Sequence, residues 1–179
     1  MEQALLFHDY RTFTHSSDRI SHLDKDKQAS YLITGLVSEV AEVAEAYNDT
    51  SNQFLLIEEL SDVLWYITRL SSQFNYDIEK IYLTAKKKIA GKTKKELLLR
   101  APLYRLIIES GKIAGHYKKM LRDNSPIDPK DRNRFDLIEE SLVKMVRSVL
   151  EILKLETDLT IYQVLFINKR KLEKRLGLS

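Results

Sequence analysis

Hydrophobic residues recur at helical spacing over most of this chain. In residues 29–47 an apolar stripe returns every three or four positions, and a second stripe runs from about residue 52 to residue 70. The first stripe consists of Ile33, Val37, Val40, Ala44 and Tyr47, with Leu36 and Val43 beside it. The same spacing predicts a first helix over 2–20 and a fourth over about 78–90. The pattern therefore predicts an all-α protein.

Polar breaks separate these predicted helices. The charged run at 24–27 is predicted to divide the first helix from the second, and Ser51 or Asn52 is predicted to cap the third. Residues 75–77 are predicted to separate the third helix from the fourth. His8, His15 and His22 recur every seven residues, but they have no acidic partner at i,i+4, so surface or packing roles are favoured over ligand roles.

Composition narrows the class of protein. Among 179 residues there are only five glycines and three prolines, too few for the turns of an all-β fold. A hydrophobic content of 44% with 31% charged residues is typical of a globular protein. The lack of cysteine excludes disulfides and thiolate chemistry. We expect no transmembrane helix, because no long apolar run occurs, and a cytoplasmic location, because the N-terminal residues lack a signal-peptide pattern.

The second half of the chain repeats the pattern of the first. Three pairs of segments align: 36–50 with 106–120, 55–65 with 136–146, and 78–89 with 161–172. A repeated pattern of this kind indicates an internal duplication. We therefore predict a helical bundle built from two duplicated units, 1–92 and 93–179.

Two pairs of carboxylates stand out in the first unit. Glu39 and Glu42 are spaced i,i+3, as are Glu59 and Asp62, so each pair lies on one face of its helix. Two such helices packed antiparallel could bring four carboxylates together. That arrangement requires a hard divalent cation, such as Mg²⁺ or, as a substitute, Mn²⁺.

The charge distribution favours this interpretation over ordinary solvated helix faces. From residue 28 to residue 68 there is no Lys or Arg, although the chain has 29 of them. A surface helix normally intersperses cations at i,i+4. The same segment contains seven acidic residues, which are Glu39, Glu42, Glu45, Asp49, Glu58, Glu59 and Asp62.

The second unit has lost the acidic pairs. Lys112 stands at the position of Glu42, and Val143 at that of Asp62. The second unit ends instead in Asn168, Lys171 and Arg175, where the first unit has Ala85 in place of the Asn. The two units have thus lost complementary parts of one pattern.

These motifs together resemble a known family. The acidic pairs, set in GLVSEVAEVAE and EELSDVLWYI, with FHDYRTF at 7–13 and the final Asn-x-x-Lys-Leu-x-x-Arg, are similar to the MazG-type all-α nucleoside triphosphate pyrophosphohydrolases. Dimeric dUTPases and dCTP pyrophosphatases share the same acidic frame. The resemblance implies Mg²⁺-dependent hydrolysis of an NTP or dNTP to the monophosphate and pyrophosphate. A fused pseudo-dimer leaves pairing with a second copy open.

The resemblance also implies roles for particular residues. The carboxylates Glu39, Glu42, Glu59 and Asp62 would be the metal ligands and the catalytic group. The residues that would contact the nucleotide are Tyr66, Asn168, Lys171 and Arg175.

Three other interpretations remain. One is a nucleotide sensor or interaction module without catalysis, which the loss of acidic residues from the second unit suggests. Another is nucleic-acid binding by the lysine-rich segment 86–95, which has no interleaved aromatic residues and so favours this function weakly. The last is a di-iron carboxylate bundle, which the absence of Glu-x-x-His pairs disfavours.

Overall fold

The computed structural model of the protein describes residues 2–49, 52–98, 101–128, 130 and 132–177, with side chains from residue 7 onward. Within these residues the chain is all-helical, with a single isolated β-bridge between Ile127 and Asn133. The helices are α1 Glu2–Ser16, α2 Lys25–Asn48, α3 Gln53–Gln73, α4 Ile78–Ile89, α5 Lys94–Leu98, α6 Pro102–Asp123, α7 Arg134–Glu156 and α8 Ile161–Leu176. The prediction of an all-α fold is confirmed.

Helix α1 ends four residues earlier than its hydrophobic spacing predicts. At its end, Asp18 accepts a hydrogen bond from the backbone N–H of Ile20 (2.7 Å), and its carboxylate pairs with Arg69 of α3. The chain therefore leaves the helix before Asp18, whose side chain bonds to the backbone of Ile20 and to Arg69. His22 lies beyond the helix, so the seven-residue spacing does not place the three histidines on one helical stripe.

Helix α2 begins inside the run that the sequence predicts as a break. The carboxylate of Asp24 accepts the backbone N–H of Lys27 (2.8 Å), so Asp24 is the N-cap and the next three residues form the first turn. The buried face also differs from the predicted stripe, since Val37 is exposed, whereas Ala29, Leu32 and Ala46 are buried.

The starts of α3 and α4 follow their capping residues. Asn52 caps α3, as predicted, and Asp77 caps α4 by accepting two backbone N–H groups. The lysine-rich segment 86–95 is partly helical, because α4 ends at Ile89 and α5 begins at Lys94. Ser51, the alternative predicted cap of α3, lies outside the described residues.

The helices pack in a reciprocal pattern. Helices α2 and α3 form one hairpin, and α6 and α7 form another. Helix α4, next in sequence to the first hairpin, packs on α7, whereas α8 packs on α3. Residues near the end of the chain therefore lie against the acidic segment of α3.

A single apolar core joins the helices of both hairpins, with members such as Leu36, Leu60, Ile113 and Val149 fully buried. Among the helices described, none has the length and apolar character needed to cross a membrane.

Candidate functional site

Three of the four predicted carboxylates meet between α2 and α3. Glu39, Glu42 and Glu59 each offer a carboxylate oxygen, and these oxygens lie within 4.8 Å of one another. In the part of the chain that the structure describes, no other three acidic, His or Cys side chains come together in this way. The i,i+3 spacing on α2 and the hairpin packing of α3 explain the convergence.

The carboxylates of the cluster repel one another, and the positive charge of Lys171 offsets this repulsion only in part. Burial first, and then the neighbouring carboxylates of Asp62, Glu42 and Glu59, together raise the pKa of Glu39 to about 7. Burial and the charges of Asp62 and Glu42 also raise the pKa of Glu59. An all-oxygen donor set with mutual repulsion fits a hard divalent cation, so these residues suit Mg²⁺ or Mn²⁺.

The fourth carboxylate, Asp62, faces α8. Its Oδ1 accepts a hydrogen bond from Asn168 Nδ2 (2.7 Å), and its Oδ2 forms an ion pair with Lys171 Nζ. Asp62 nevertheless lies close enough to raise the pKa of Glu39. The structure thus brings two residues of α8 to the carboxylates of α2 and α3.

Asn168 is fully buried and every polar atom of its side chain has a partner. Its Oδ1 accepts from the hydroxyl of Tyr10 (2.8 Å), and its Nδ2 also donates to Ser61 Oγ (3.1 Å). A buried amide with all its hydrogen bonds satisfied has one fixed orientation. Helices α1, α3 and α8 are therefore joined at this residue.

A cleft of about 450 Å³ opens beside the cluster. This volume is in the range of small-molecule sites. Its lining combines the acidic residues with aromatic and cationic side chains. The lining residues are Ser17, Asp18, Arg19, Ile20, Tyr31, Glu39, Asp62, Trp65, Tyr66, Leu172, Arg175 and Leu176. Both Tyr66 and Arg175, predicted from the resemblance as nucleotide contacts, line this cleft.

The Tyr66 ring lies directly over the backbone of Gly35. A Cβ atom at Gly35 would overlap the Tyr66 ring and lie 2.6 Å from its hydroxyl oxygen. Burial, followed by the nearby Tyr31 phenol, raises the pKa of Tyr66, so this hydroxyl stays protonated. The glycine thus lets the aromatic wall approach α2 closely.

We expect Gly35→Ala to weaken nucleotide binding. The new methyl group forces Tyr66 out of its rotamer, at a cost on the order of 1 kcal/mol. We therefore expect KM for the nucleotide to rise by up to about tenfold. Steady-state kinetics measure the effect.

Gly111→Ala on α6 is the matched control. Its added Cβ would meet nothing within 4 Å, so the substitution should stabilise the helix by about 0.5–1 kcal/mol and leave KM unchanged. An unchanged KM in Gly35→Ala would show that the position of Tyr66 does not matter to binding.

A short segment after α1 forms the opposite wall of the cleft. Arg69 Nε donates to Asp18 Oδ2 (2.8 Å), and both side chains of this ion pair are almost completely buried. Trp65 Nε1 donates to Ser17 Oγ (3.1 Å). These two contacts fasten the wall to α3.

The raised pKa of Glu39 predicts an unusual pH dependence of stability in the absence of metal. The folded state holds this proton up to about pH 7, whereas the unfolded chain releases it near the ordinary value of 4.5. Since the folded state binds more protons in this window, the free energy of unfolding falls as pH rises through it. We expect a loss of about 1 kcal/mol between pH 5 and pH 8, allowing for solvent screening. Urea unfolding with a chelator present measures it.

Glu39→Gln is the control for this prediction. It removes the titrating group, so its stability should change less between pH 5 and pH 8 than that of the wild type. Parallel pH profiles for the two proteins would contradict the assignment of the raised pKa to Glu39.

In the part of the chain that aligns with the acidic segment, one buried glutamate is held in an ion pair. Glu109, which aligns with Glu39, is buried and accepts from Lys112 Nζ (2.7 Å) and Ser141 Oγ (2.9 Å). Glu140, which aligns with Glu59, has a side chain that is 66% exposed. Lysine thus supplies the positive charge at Glu109.

Sequence reasoning missed several cleft residues, of which Tyr31 carries a recognisable signal. It precedes Glu39 by eight residues, about two helical turns, which places both on one face of α2. The segment Ser17–Ile20 gives no such signal, because its place in the cleft depends on the long-range pair between Asp18 and Arg69.

Fold and site together define a class: an all-helical protein with a carboxylate cluster suited to a divalent cation. The family model for the MazG nucleotide pyrophosphohydrolase domain matches residues 27–96. This segment belongs to that family, whose members are generally nucleotide pyrophosphohydrolases. It includes the three clustered glutamates, Asp62 and Tyr66, and it stops before Asn168. Neither a curated protein nor a solved structure matches the chain.

Proposed function

We propose that the protein hydrolyses a nucleoside triphosphate, NTP or dNTP, to the monophosphate and pyrophosphate in a Mg²⁺-dependent reaction. The observation that carries this proposal is the meeting of Glu39, Glu42 and Glu59 within 4.8 Å beside a cleft that also exposes Asp62 and Arg175. The family of the segment 27–96 supports the same reaction.

Glu39, Glu42, Glu59 and Asp62 would hold the cation. Mg²⁺, when bound, neutralises the phosphate oxygens and makes the phosphorus more open to attack. Mn²⁺ has the same preference for oxygen ligands and would substitute for it.

The walls of the cleft would hold the two ends of the substrate. The aromatic rings of Tyr66, Trp65 and Tyr31 offer faces on which a base or sugar can pack. Lys171 and Arg175, one turn apart on α8, would bind phosphate oxygens. The cleft therefore pairs an apolar wall with a cationic one.

The reaction is an in-line attack of water on the α-phosphorus. The water oxygen forms the new bond, the bond from the α-phosphorus to the bridging oxygen breaks, and a cluster carboxylate accepts the water proton. Lys171 and Arg175 would stabilise the negative charge that develops on the departing pyrophosphate. No Ser, Cys or His nucleophile is required.

We also propose that the chain is a fused pseudo-dimer of two units, 1–92 and 93–179, with one working site. The reciprocal packing of α4 on α7 and of α8 on α3 supports this organisation. Lys112 beside Glu109 supports loss of the second site. A second copy of the chain is not required to supply any of the proposed site residues.

The lysine-rich segment does not favour a nucleic-acid function. Lys92 pairs with Glu96 (3.7 Å), and Lys94 Nζ donates to the carbonyl of Leu155 (3.3 Å). Lys86 lies over the Tyr82 ring. These contacts give three of the six lysines in this segment structural partners within the chain.

Pyrophosphate release from a panel of NTPs and dNTPs tests the proposed reaction. Assays with Mg²⁺, with Mn²⁺ and with a chelator identify both the reaction and the preferred nucleotide. We expect release that requires the metal. Metal-dependent binding of nucleotide without any release would overturn the hydrolase and favour a nucleotide sensor.

A further inference from the structure

The hydrogen bonds around Asn168 have only one consistent set of directions. Asp62 can only accept when ionised, so the Asn168 amide must turn its NH₂ group toward Asp62 Oδ1. Ser61 Oγ donates to the carbonyl of Glu58 (2.6 Å) and is therefore free to accept the second amide proton. The Asn168 oxygen must then face Tyr10, whose hydroxyl donates to it.

Tyr10 is well placed to hold this arrangement. Its ring is buried, with 2% of the residue exposed, and its hydroxyl contacts the side chain of Asn168 at 2.8 Å. Burial, and then the charge of Asp62, raises the pKa of Tyr10 well above its usual value, so the hydroxyl remains a donor. Without that donor the buried Asn168 oxygen would lack its partner.

We propose that Tyr10 is a positioning residue for the metal centre. Its hydroxyl fixes the Asn168 amide, and the amide NH₂ in turn fixes Asp62 Oδ1 beside the glutamate cluster. Lys171 follows Asn168 by three residues on α8, so the same contact sets the place of its ammonium group. This inference rests on the proposed metal-dependent function, and it adds α1 to the parts of the chain that build the site.

A double-mutant cycle on Mn²⁺ binding without nucleotide tests the proposal. Loss of a residue that orients a metal ligand typically weakens metal affinity about 10–100-fold. We expect Asn168→Ala to raise the Kd for Mn²⁺ about tenfold, and Tyr10→Phe to raise it by a smaller, several-fold factor, because Tyr10 acts on Asp62 only through Asn168. In the Asn168→Ala background, Tyr10→Phe should have no further effect, because Tyr10 acts through the amide.

Two control variants separate positioning from general stability. Tyr76→Phe also removes a hydroxyl with an internal acceptor, the carbonyl of Phe135 (2.7 Å), but away from the cleft. We expect it to leave the Kd for Mn²⁺ unchanged. Ser61→Ala removes one acceptor of the amide while Tyr10 and Asp62 still orient it, so its Kd should also stay near the wild-type value.

The outcomes distinguish this proposal from the proposed function. Independent, multiplicative effects of Tyr10→Phe and Asn168→Ala on the Kd, or an unchanged Kd in Tyr10→Phe, would overturn the role of Tyr10 whether or not nucleotide is hydrolysed. If the double-mutant cycle gives the expected result but the protein releases no pyrophosphate, the positioning role of Tyr10 is supported and only the proposed hydrolase activity is overturned. Failure of the wild type to bind Mn²⁺ would overturn both.

Discussion

Glu59→Gln is expected to abolish nucleotide hydrolysis while the protein stays folded. The substitution keeps the shape of the side chain but removes one of the negative charges proposed to bind the cation. Loss of a residue that orients a metal ligand lowers metal affinity or activity about 10–100-fold. Loss of Glu59, a proposed ligand itself, should therefore lower kcat/KM by more than about a hundredfold. The fold should not suffer, because Glu59 repels its neighbours and its pKa is raised in the folded protein. Pyrophosphate release and thermal unfolding measure the two effects.

Glu140→Gln is the matched control for this experiment. Glu140 occupies the aligned position in the second unit, where its side chain is largely exposed. The same chemical change there should leave both activity and stability near the wild-type values. Wild-type activity in Glu59→Gln would show that the carboxylate cluster is not the site of reaction.

The second large effect is expected for Lys171→Ala. Removing a donor that stabilises charge in the transition state typically costs about a hundredfold or more in kcat. Metal binding should respond in the opposite sense. Lys171 pairs with Asp62 and its charge lowers the pKa of Glu39, so its removal takes away a cation that competes with the metal. We therefore expect kcat to fall about a hundredfold while Mn²⁺ binds as tightly as before or more tightly.

Lys174→Ala is the control, because Lys174 is an exposed lysine on the same helix. It should change neither kcat nor the affinity for Mn²⁺. Weaker Mn²⁺ binding in Lys171→Ala, with kcat unchanged, would contradict the role proposed for the ammonium group. That result would assign Lys171 to the structure of the metal centre instead.

Local pattern predicts the helices of this protein better than it predicts their ends. The hydrophobic period and the cap at Asn52 depend on neighbours within a few positions, and the structure agrees with these predictions. The end of α1 depends on Arg69, about fifty residues away, and no local signal reports that contact. Composition predicts a break at Asp24 and at Asp77, although both are N-caps, because a capping carboxylate and a polar loop have the same composition.

The candidate site shows the same limit. Spacing alone predicts that Glu39 and Glu42 share a face, and the hairpin of α2 and α3 adds Glu59. Spacing does not predict the contacts of Asp62 with Asn168 and Lys171, because those contacts require the packing of α8 on α3. The cleft walls at Ser17 and Ile20 are likewise products of tertiary contacts.

The contact between Asp62 and Lys171 has a consequence for how the protein behaves on dilution. In an enzyme whose site is shared between two subunits, separation of the subunits dismantles the site, so specific activity falls at low protein concentration. Here both residues belong to one chain, and the intervening residues keep them together as a tether does. The number of assembled sites per molecule is therefore independent of how many molecules are present, even where the protein is scarce.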